Sequence, residues 1–446
     1  MTLKGRTLAG LASDLARDVT TSRELTEAAL EAIQADPRPF TRVWSAPARA
    51  AADASDRLRA QGIGASPFAG IPISVKDLFD VAGEATPAGS RILATGPAAK
   101  ADAPTIARLR AAGFVLIGRT QMSEFAFTGV GLNPHHPQPV NPSDAERAPG
   151  GSSGGAAVSV ALGQAAGAIG TDTGGSVRIP AAFCGLVGFK PTQRRVTREG
   201  AFPLSDALDS IGPIANSTAC CRALDAVLAD SPSPPAPPAR VAGLRLATPR
   251  QYLLEGLEPP VAEAFERALA ALSSAGARIE GLDFPELDSI PAMNRSGSIS
   301  NAEAFAHHRR RGLLEQRSLY DPNVLTRVEV GASMGAADYC DLLEARARLI
   351  EAAAARMAPY DFLVAPTTPI LAPRLDDLAD PAEFARLNGL ALRNTSVVNL
   401  IDGCAISLPI GGGDLPVGLM VMARPMADAG LLAAAEAIEE VLRASD

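Results

Sequence analysis

The sequence predicts a layered α/β protein built on one continuous sheet. Three observations lead there: apolar residues at helical spacing near the N-terminus, short apolar runs alternating with Ala-rich stretches from residue 70 onward, and the same alternation resuming after a Pro-rich break near residue 230. Within residues 8–34, Leu8, Leu11, Leu15, Leu25, Ala28, Leu30 and Ile33 define amphipathic helices that cover a sheet. The runs at 71–75 and 114–117 read as strands, residues 155–166 as a helix, and the segment near Ala168 as a strand-like turn.

Residues 231–238, Ser-Pro-Ser-Pro-Pro-Ala-Pro-Pro, lack the N–H groups that a helix or central strand requires, so they are expected to form a surface connector. Beyond them, 244–247, 361–365, 405–409 and 416–421 read as strands, and 261–275 and 427–443 as helices. There is no internal repeat. Because the second half supplies strands of the same kind, one sheet with an excursion is preferred over two independent domains.

Composition narrows the function. The chain has 446 residues, 47% of them apolar and 20% charged, the profile of a soluble globular protein with a large core. A net charge of −8, with basic runs no longer than Arg309, Arg310 and Arg311, speaks against nucleic acid as a partner. The five cysteines (Cys184, Cys220, Cys221, Cys340, Cys404) are odd in number and lack paired metal spacing, so reduced, mostly buried thiols are expected, with no disulfide framework and no metal. The first residues carry charges every few positions without an apolar core, and no stretch of 18 residues is free of polar breaks; the expectation is a cytoplasmic protein with no membrane contact.

All but four of the 41 basic residues are arginines; the lysines are Lys4, Lys76, Lys100 and Lys190. Arginine stays protonated, whereas a buried lysine can surrender its proton and act as a base, so Lys76, behind the apolar run 71–75, draws attention. Two clusters place serine beside glycine: Gly150-Gly-Ser-Ser-Gly-Gly155 and Thr171-Asp-Thr-Gly-Gly-Ser-Val-Arg178. Glycine lets backbone N–H groups approach a reacting centre, and successive N–H groups can hold an oxyanion. Either cluster alone would serve as a tight turn; both together with a lone lysine point to nucleophilic catalysis.

Four other readings use the same residues. A phosphate-binding loop needs a lysine directly after its second glycine, and neither cluster has one. A Ser-x-x-Lys pair needs serine three residues before a lysine, where this chain has Met1, Ile73, Pro97 and Val187. Gly151-Ser-Ser-Gly-Gly155 fits a nucleophile elbow centred on Ser153, but the preceding segment is polar and Pro-bounded, and the downstream histidines are the adjacent His307 and His308. A metal-dependent hydrolase would want clustered ligands; His135-His136 and His307-His308 are neighbouring pairs expected on the surface or in loops.

These residues resemble the amidase signature family of Ser-cisSer-Lys amide hydrolases. The resemblance rests on Gly70-Ile-Pro-Ile-Ser-Val-Lys-Asp77, on Gly150–Gly155, on Gly170 through Ala181 continuing from Phe183 to Thr192, and on Tyr360-Asp361, Ala365-Pro-Thr367 and Asn399. It implies a single large mixed twisted β-sheet covered by helices on both faces. It divides one domain, 1–446, into an N-terminal helical cover (1–65), a catalytic core (66–228), the Pro-rich connector (229–240) and the rest of the sheet with pocket helices (241–446). It assigns Ser176 as nucleophile, Ser152 as the bridging serine held by a cis peptide, and Lys76 as base. The spacing of 24 residues between the serines selects Ser152 over Ser153. The backbone N–H groups of Thr173, Gly174, Gly175 and Ser176 would form the oxyanion hole, where one donor is worth about 3 kcal/mol of barrier. Asp172, Arg178, Ser153 and Asp77 would be supports, and Met122, Gly151 and Phe125 would touch substrate.

The resemblance implies no cofactor and a small-molecule amide substrate, acted on by a monomer or homodimer. One branch, the glutaminase subunit of tRNA-dependent amidotransferases, carries Thr-Asn-Met-Ser-Glu where this chain reads Thr120-Gln-Met-Ser-Glu124, and an acidic residue where this chain has Leu392. The malonamidase branch holds a carboxylate with an arginine three residues after the nucleophile, where this chain has Ile179. The expectation is therefore a stand-alone hydrolase of neutral aryl or alkyl amides, with esters and carbamates within reach, and a pocket drawn from 122–140, 297–327 and 399–404.

Overall fold

The computed structural model describes residues 2–230, 239–411 and 413–445, so the heart of the expected connector, 231–238, lies outside the described residues. Eleven strands are found among the described residues: β1 (Phe40–Val43), β2 (Pro72–Lys76), β3 (Val115–Thr120), β4 (Gly167–Asp172), β5 (Val187–Lys190), β6 (Ser210–Ala215), β7 (Arg245–Pro249), β8 (Arg278–Leu282), β9 (Phe362–Pro366), β10 (Cys404–Ile410) and β11 (Val417–Ala423). They form one sheet in the order β1-β3-β2-β4-β6-β5-β10-β11-β9-β7-β8. At one wing β2 runs parallel to β3 and β4; at the other β7 runs parallel to β8 and β9. The strands between are antiparallel, and the pairing of β5 with β10 (Lys190 opposite Ala405) joins the two halves of the chain into the single sheet expected.

Strand side chains alternate between faces, and both faces are covered. Ile406, Leu408, Leu419 and Val421 pack with Phe265, Leu272, Leu431 and Ile438 of the helices Pro259–Ser274 and Asp428–Ser445. Their neighbours Ala405, Met420 and Met422 pack with Leu349, Val397 and Val398 of the helices Ala336–Met357 and Pro381–Leu400.

The N-terminal segment folds as two helices, Leu8–Ala16 and Ser22–Ala35, separated because Thr7 and Thr21 each cap a first turn; Thr21 and Glu24 form a reciprocal capping box. The helix expected over 155–166 is Gly154–Ala161, and Gly163 at φ +69° turns the chain toward β4. The strands β5 and β6 gave no apolar run to read. In β6 the central residues are Gly212 and Pro213, and Pro213 stands opposite Ile169 of β4.

Gly212 is required by a close approach, since a Cβ there would lie 2.0 Å from the Phe189 carbonyl oxygen. Gly212→Ala is expected to force the centre of the sheet apart and to destabilise the protein by about 2 kcal/mol or more. A thermal melt matching the wild type would contradict this packing.

Candidate active site

The parallel pairing of β2 with β4 (Ser74 opposite Ala168, Val75 opposite Ile169) brings the C-terminal ends of the two strands together, the place where open α/β sheets bind ligands. Lys76 ends one strand, and Thr171 and Asp172 end the other. The Lys76 side chain is fully buried, its Nζ hydrogen-bonded to Ser152 Oγ at 2.7 Å and to Thr171 Oγ1 at 2.9 Å. Burial pushes this amine down to about 7, against the opposing pull of Asp209 and Asp172. Ser152 lies just before the helix Gly154–Ala161, and the Gly151–Ser152 peptide is cis. Its loop is tied by Ser123 N–H to the Ser152 carbonyl (3.1 Å) and by Gly151 N–H to the Gly129 carbonyl (2.8 Å).

Ser176 sits on the turn that leaves β4, and Asp172 organises that turn. Its carboxylate accepts from the N–H groups of Gly175 (2.8 Å) and Val177 (3.2 Å), from Arg178 Nε (3.0 Å) and Nη2 (2.8 Å), and from Asn399 Nδ2 (3.1 Å). Burial alone would raise the Asp172 carboxyl, but the Arg178 charge and these hydrogen bonds hold it at about 2. Gly175 adopts φ +138°, and a Cβ there would meet Thr395 Oγ1 at 2.1 Å, so only glycine fits. Thr395 Oγ1 donates to the Gly174 carbonyl (2.6 Å), and Ser153 N–H donates to the Ser176 carbonyl (3.2 Å), which pins the two serine-bearing loops side by side. Among the described residues no hydrogen bond joins Ser176 Oγ to Ser152 Oγ. Of the four amides expected to face an oxyanion, that of Gly175 is engaged by Asp172, whereas those of Gly174 and Ser176 donate to no other described residue.

Ser176, Thr173 and Gly174 open onto a cavity of about 160 Å³. The expected regions contribute Phe127 and Thr128, then Ser298, Ile299 and Arg327, then Leu400, while Leu204, Leu208, Asn294, and Leu392 and Ser396 of the helix Pro381–Leu400, line it from outside those regions. The three individual contacts expected fall outside it. Phe125, at φ 51°, turns into a ring cluster with Phe202, His308 and Tyr320. Met122 is buried, with its carbonyl held by Asn133 Nδ2 (2.7 Å), and Gly151 packs against Gly131 and Ser123.

The histidine pair 307–308 is buried, contrary to expectation: His308 Nδ1 bonds Tyr320 Oη (2.7 Å) inside the ring cluster, and His307 pairs with Asp206 (3.1 Å). Neither ring is hydrogen-bonded to Ser153, whose hydroxyl donates to the Thr171 carbonyl (3.4 Å). The free cysteines are buried except Cys340. Among the described residues no His, Cys, Asp and Glu side chains gather as a metal site would require, and no helix is long and apolar enough to cross a membrane. A larger hollow of about 770 Å³, walled by Ala12, Trp44, Leu58 and Phe114, holds none of the groups named above.

Sequence reasoning missed two contributors. Thr171 lies inside the second Gly/Ser cluster and could have been read as a partner for the lysine. Asp209, which accepts from Thr173 Oγ1 (2.5 Å) and the N–H groups of Leu204 and Ser205, offered no signal in a segment that also carries Asp206.

The Amidase family model matches residues 24–432. The chain is 37% identical to the 2-amino-5-chloromuconic acid deaminase of Comamonas testosteroni over 90% of its own length and 88% of that protein's. It is 36% identical to a glutamyl-tRNA(Gln) amidotransferase subunit of Moorella thermoacetica over 87% and 86%. Among solved structures, an amidase superimposes with TM-score 0.89 at 32% identity, covering 98% of this chain and all of the other. The native peptide amidase of Stenotrophomonas maltophilia follows at 0.79 and 28%, covering 98% and 97%. Sequence and fold together place the chain in the amidase family, the hydrolases of carbon–nitrogen bonds.

Proposed function

We propose that the chain cleaves small amides through an acyl-enzyme on Ser176, with Ser152 and Lys76 moving the proton. The observation that carries this reading is the buried Lys76 amine bonded to Ser152 Oγ at 2.7 Å, with two hydroxyls and no carboxylate as its hydrogen-bond partners among the described residues. Near neutral pH a large share of the amine is uncharged; it can give an N–H to Thr171 while its lone pair takes the Ser152 proton. Ser152 takes the Ser176 proton in turn, and Ser176 Oγ adds to the amide carbon. The oxyanion meets the amides of Gly174 and Ser176. Reversing the path protonates the leaving nitrogen as the C–N bond breaks, and water then releases the acid by the same route. The Ser176 to Ser152 leg closes by rotation of the Ser176 hydroxyl when substrate fills the cavity, the tightening common to catalytic hydrogen bonds.

Esters and carbamates share the tetrahedral intermediate and fall within the same chemistry. The Comamonas relative is named for an acid as what it deaminates, which supports a small polar substrate. A second reading, ammonia release from glutamine within a tRNA-dependent complex, is supported by the Moorella relative. The cavity weighs against it: among the described residues lining it, none is an acid that could pair with the ammonium of glutamine, and Leu392 occupies the wall.

A fluorophosphonate probe is expected to label Ser176, and Ser176→Ala to lose both label and turnover. Lys76→Ala and Ser152→Ala should each lower kcat/KM by about 10²–10⁴-fold, as removal of a general base does. If Lys76→Ala stayed active while His307→Ala did not, the nucleophile would instead be Ser153.

Because only the uncharged amine is a base, kcat/KM on a non-titrating amide should rise as pH passes about 7 and level off above it. Asp209 raises the Lys76 amine, so Asp209→Asn should move this limb to lower pH; a limb that stays in place or moves up would disprove the coupling.

A further inference from the structure

Another cavity adjoins the end of β2. Asp77 follows the last residue of that strand, with its N–H on the Thr120 carbonyl (3.2 Å), and successive residues of an extended chain face opposite ways, so Asp77 turns away from Lys76. It meets Arg119 of β3 in a hollow of about 430 Å³ that none of Lys76, Ser152 and Ser176 lines. Both side chains are buried, and each leaves one polar atom unpartnered among the described residues: Asp77 Oδ1 and Arg119 Nη2. The rest of each group is engaged. Asp77 Oδ2 accepts from the Gly89 N–H (3.3 Å), while Arg119 donates from Nη1 to the Phe79 carbonyl (2.7 Å) and from Nε to Glu84 (3.1 Å). At their nearest the two groups stand 3.9 Å apart, too far for a direct hydrogen bond. Buried polar atoms so placed are costly unless a bound molecule completes them.

The walls favour an anion. Arg42 and Arg91 stand exposed at the mouth, against one further acid, Glu84, which already accepts from Arg119 and from Trp44 Nε1 (2.7 Å). Burial raises the Asp77 carboxyl to about 7 against the pull of Arg119, so near neutral pH much of it is uncharged. The cavity is therefore basic on a chain whose net charge is −8, and it draws small anions in. Its floor selects among them. A carboxylate presents two oxygens side by side, one to accept from Arg119 Nη2 and the other from the Asp77 hydroxyl, both as charge-assisted hydrogen bonds.

We infer that this cavity is a second ligand site, which binds a small carboxylate between Arg119 and Asp77 with Arg42 and Arg91 at its mouth. The volume lies within the roughly 300–1,000 Å³ of small-molecule sites, so an acid of several carbons fits. The assignment stands on the cavity alone and does not rest on the reaction at Ser176.

The test is calorimetry on Ser176→Ala with benzoate and butyrate, each against its own amide, and with inorganic phosphate as the rival anion. The better acid is expected to bind at least about 10-fold more tightly than its amide and than phosphate. Arg119→Met should abolish the preference for the acid. Because that variant removes two structural hydrogen bonds, the exposed pair is also changed: Arg42→Glu with Arg91→Glu should weaken the acid about 10-fold at low salt and leave the amide unaffected. An acid seated in the catalytic cavity would ignore these changes, so binding that survives both variants overturns the inference. An amide or phosphate held as tightly as the acid does so too, as does the absence of binding by either acid.

The Asp77 proton is part of the grip, so affinity should fall by up to about 10-fold per unit as pH rises above about 7, and the slope should vanish in Asp77→Asn. Arg42, Arg91, Arg119 and Glu84 also face the carboxyl, residue types that do not change charge in this window, and burial pushes His136 down, away from it. Lys76, the neighbour in sequence, titrates at about 7 as well. A slope kept in Asp77→Asn would belong to the lysine and overturn the pairing with Asp77.

Discussion

The turn that presents Ser176 depends on one buried ion pair. Asp172 and Arg178 are both inaccessible to water, and a pair so placed stabilises a structure only when its remaining hydrogen-bonding capacity is met. Here it is met by the amides of Gly175 and Val177 on one side and by Asn399 on the other, so the carboxylate knits β4, the turn and the helix Pro381–Leu400 into one unit. Held at about 2, Asp172 stays ionised near neutral pH and serves as an anchor, not a proton carrier.

Lys76 is built on the opposite principle. It is as deeply buried as Arg178, but its hydrogen bonds go to two hydroxyls, and the acids that influence it, Asp209 and Asp172, act through space. Hydroxyls can accept from an ammonium or donate to an amine, so the surroundings tolerate both protonation states. Arginine in that position could not make the exchange. The site thus divides its charges into a pair locked for geometry and a lysine left free to titrate.

Much of this was legible in the sequence, for identifiable reasons. The strands β2, β3, β9, β10 and β11 are apolar runs buried on both faces, which is why they could be read directly. The scarcity of lysine singled out Lys76, and the Gly/Ser clusters singled out both serine loops. What could not be read was set by distant parts of the chain. β5 and β6 are strands because of their neighbours, not their composition, and Pro213 is tolerated where a local rule would break the strand. The burial of His308 follows from rings supplied by residues 125, 202 and 320, and much of the cavity wall from helices more than 100 residues beyond the nucleophile.

The pairing of β5 with β10 bears on the order of events during synthesis. By the time residue 190 has left the ribosome, the nascent chain already holds Lys76, both clustered serines and Asp172. It still lacks the strand that seals the middle of the sheet and the Thr395 and Asn399 side chains that brace the turn. Contacts spanning more than 200 residues form late, since their loops must close first. The reactive half of the molecule therefore emerges long before it can be competent, and the last fifth of the polypeptide acts as the catch that arms it.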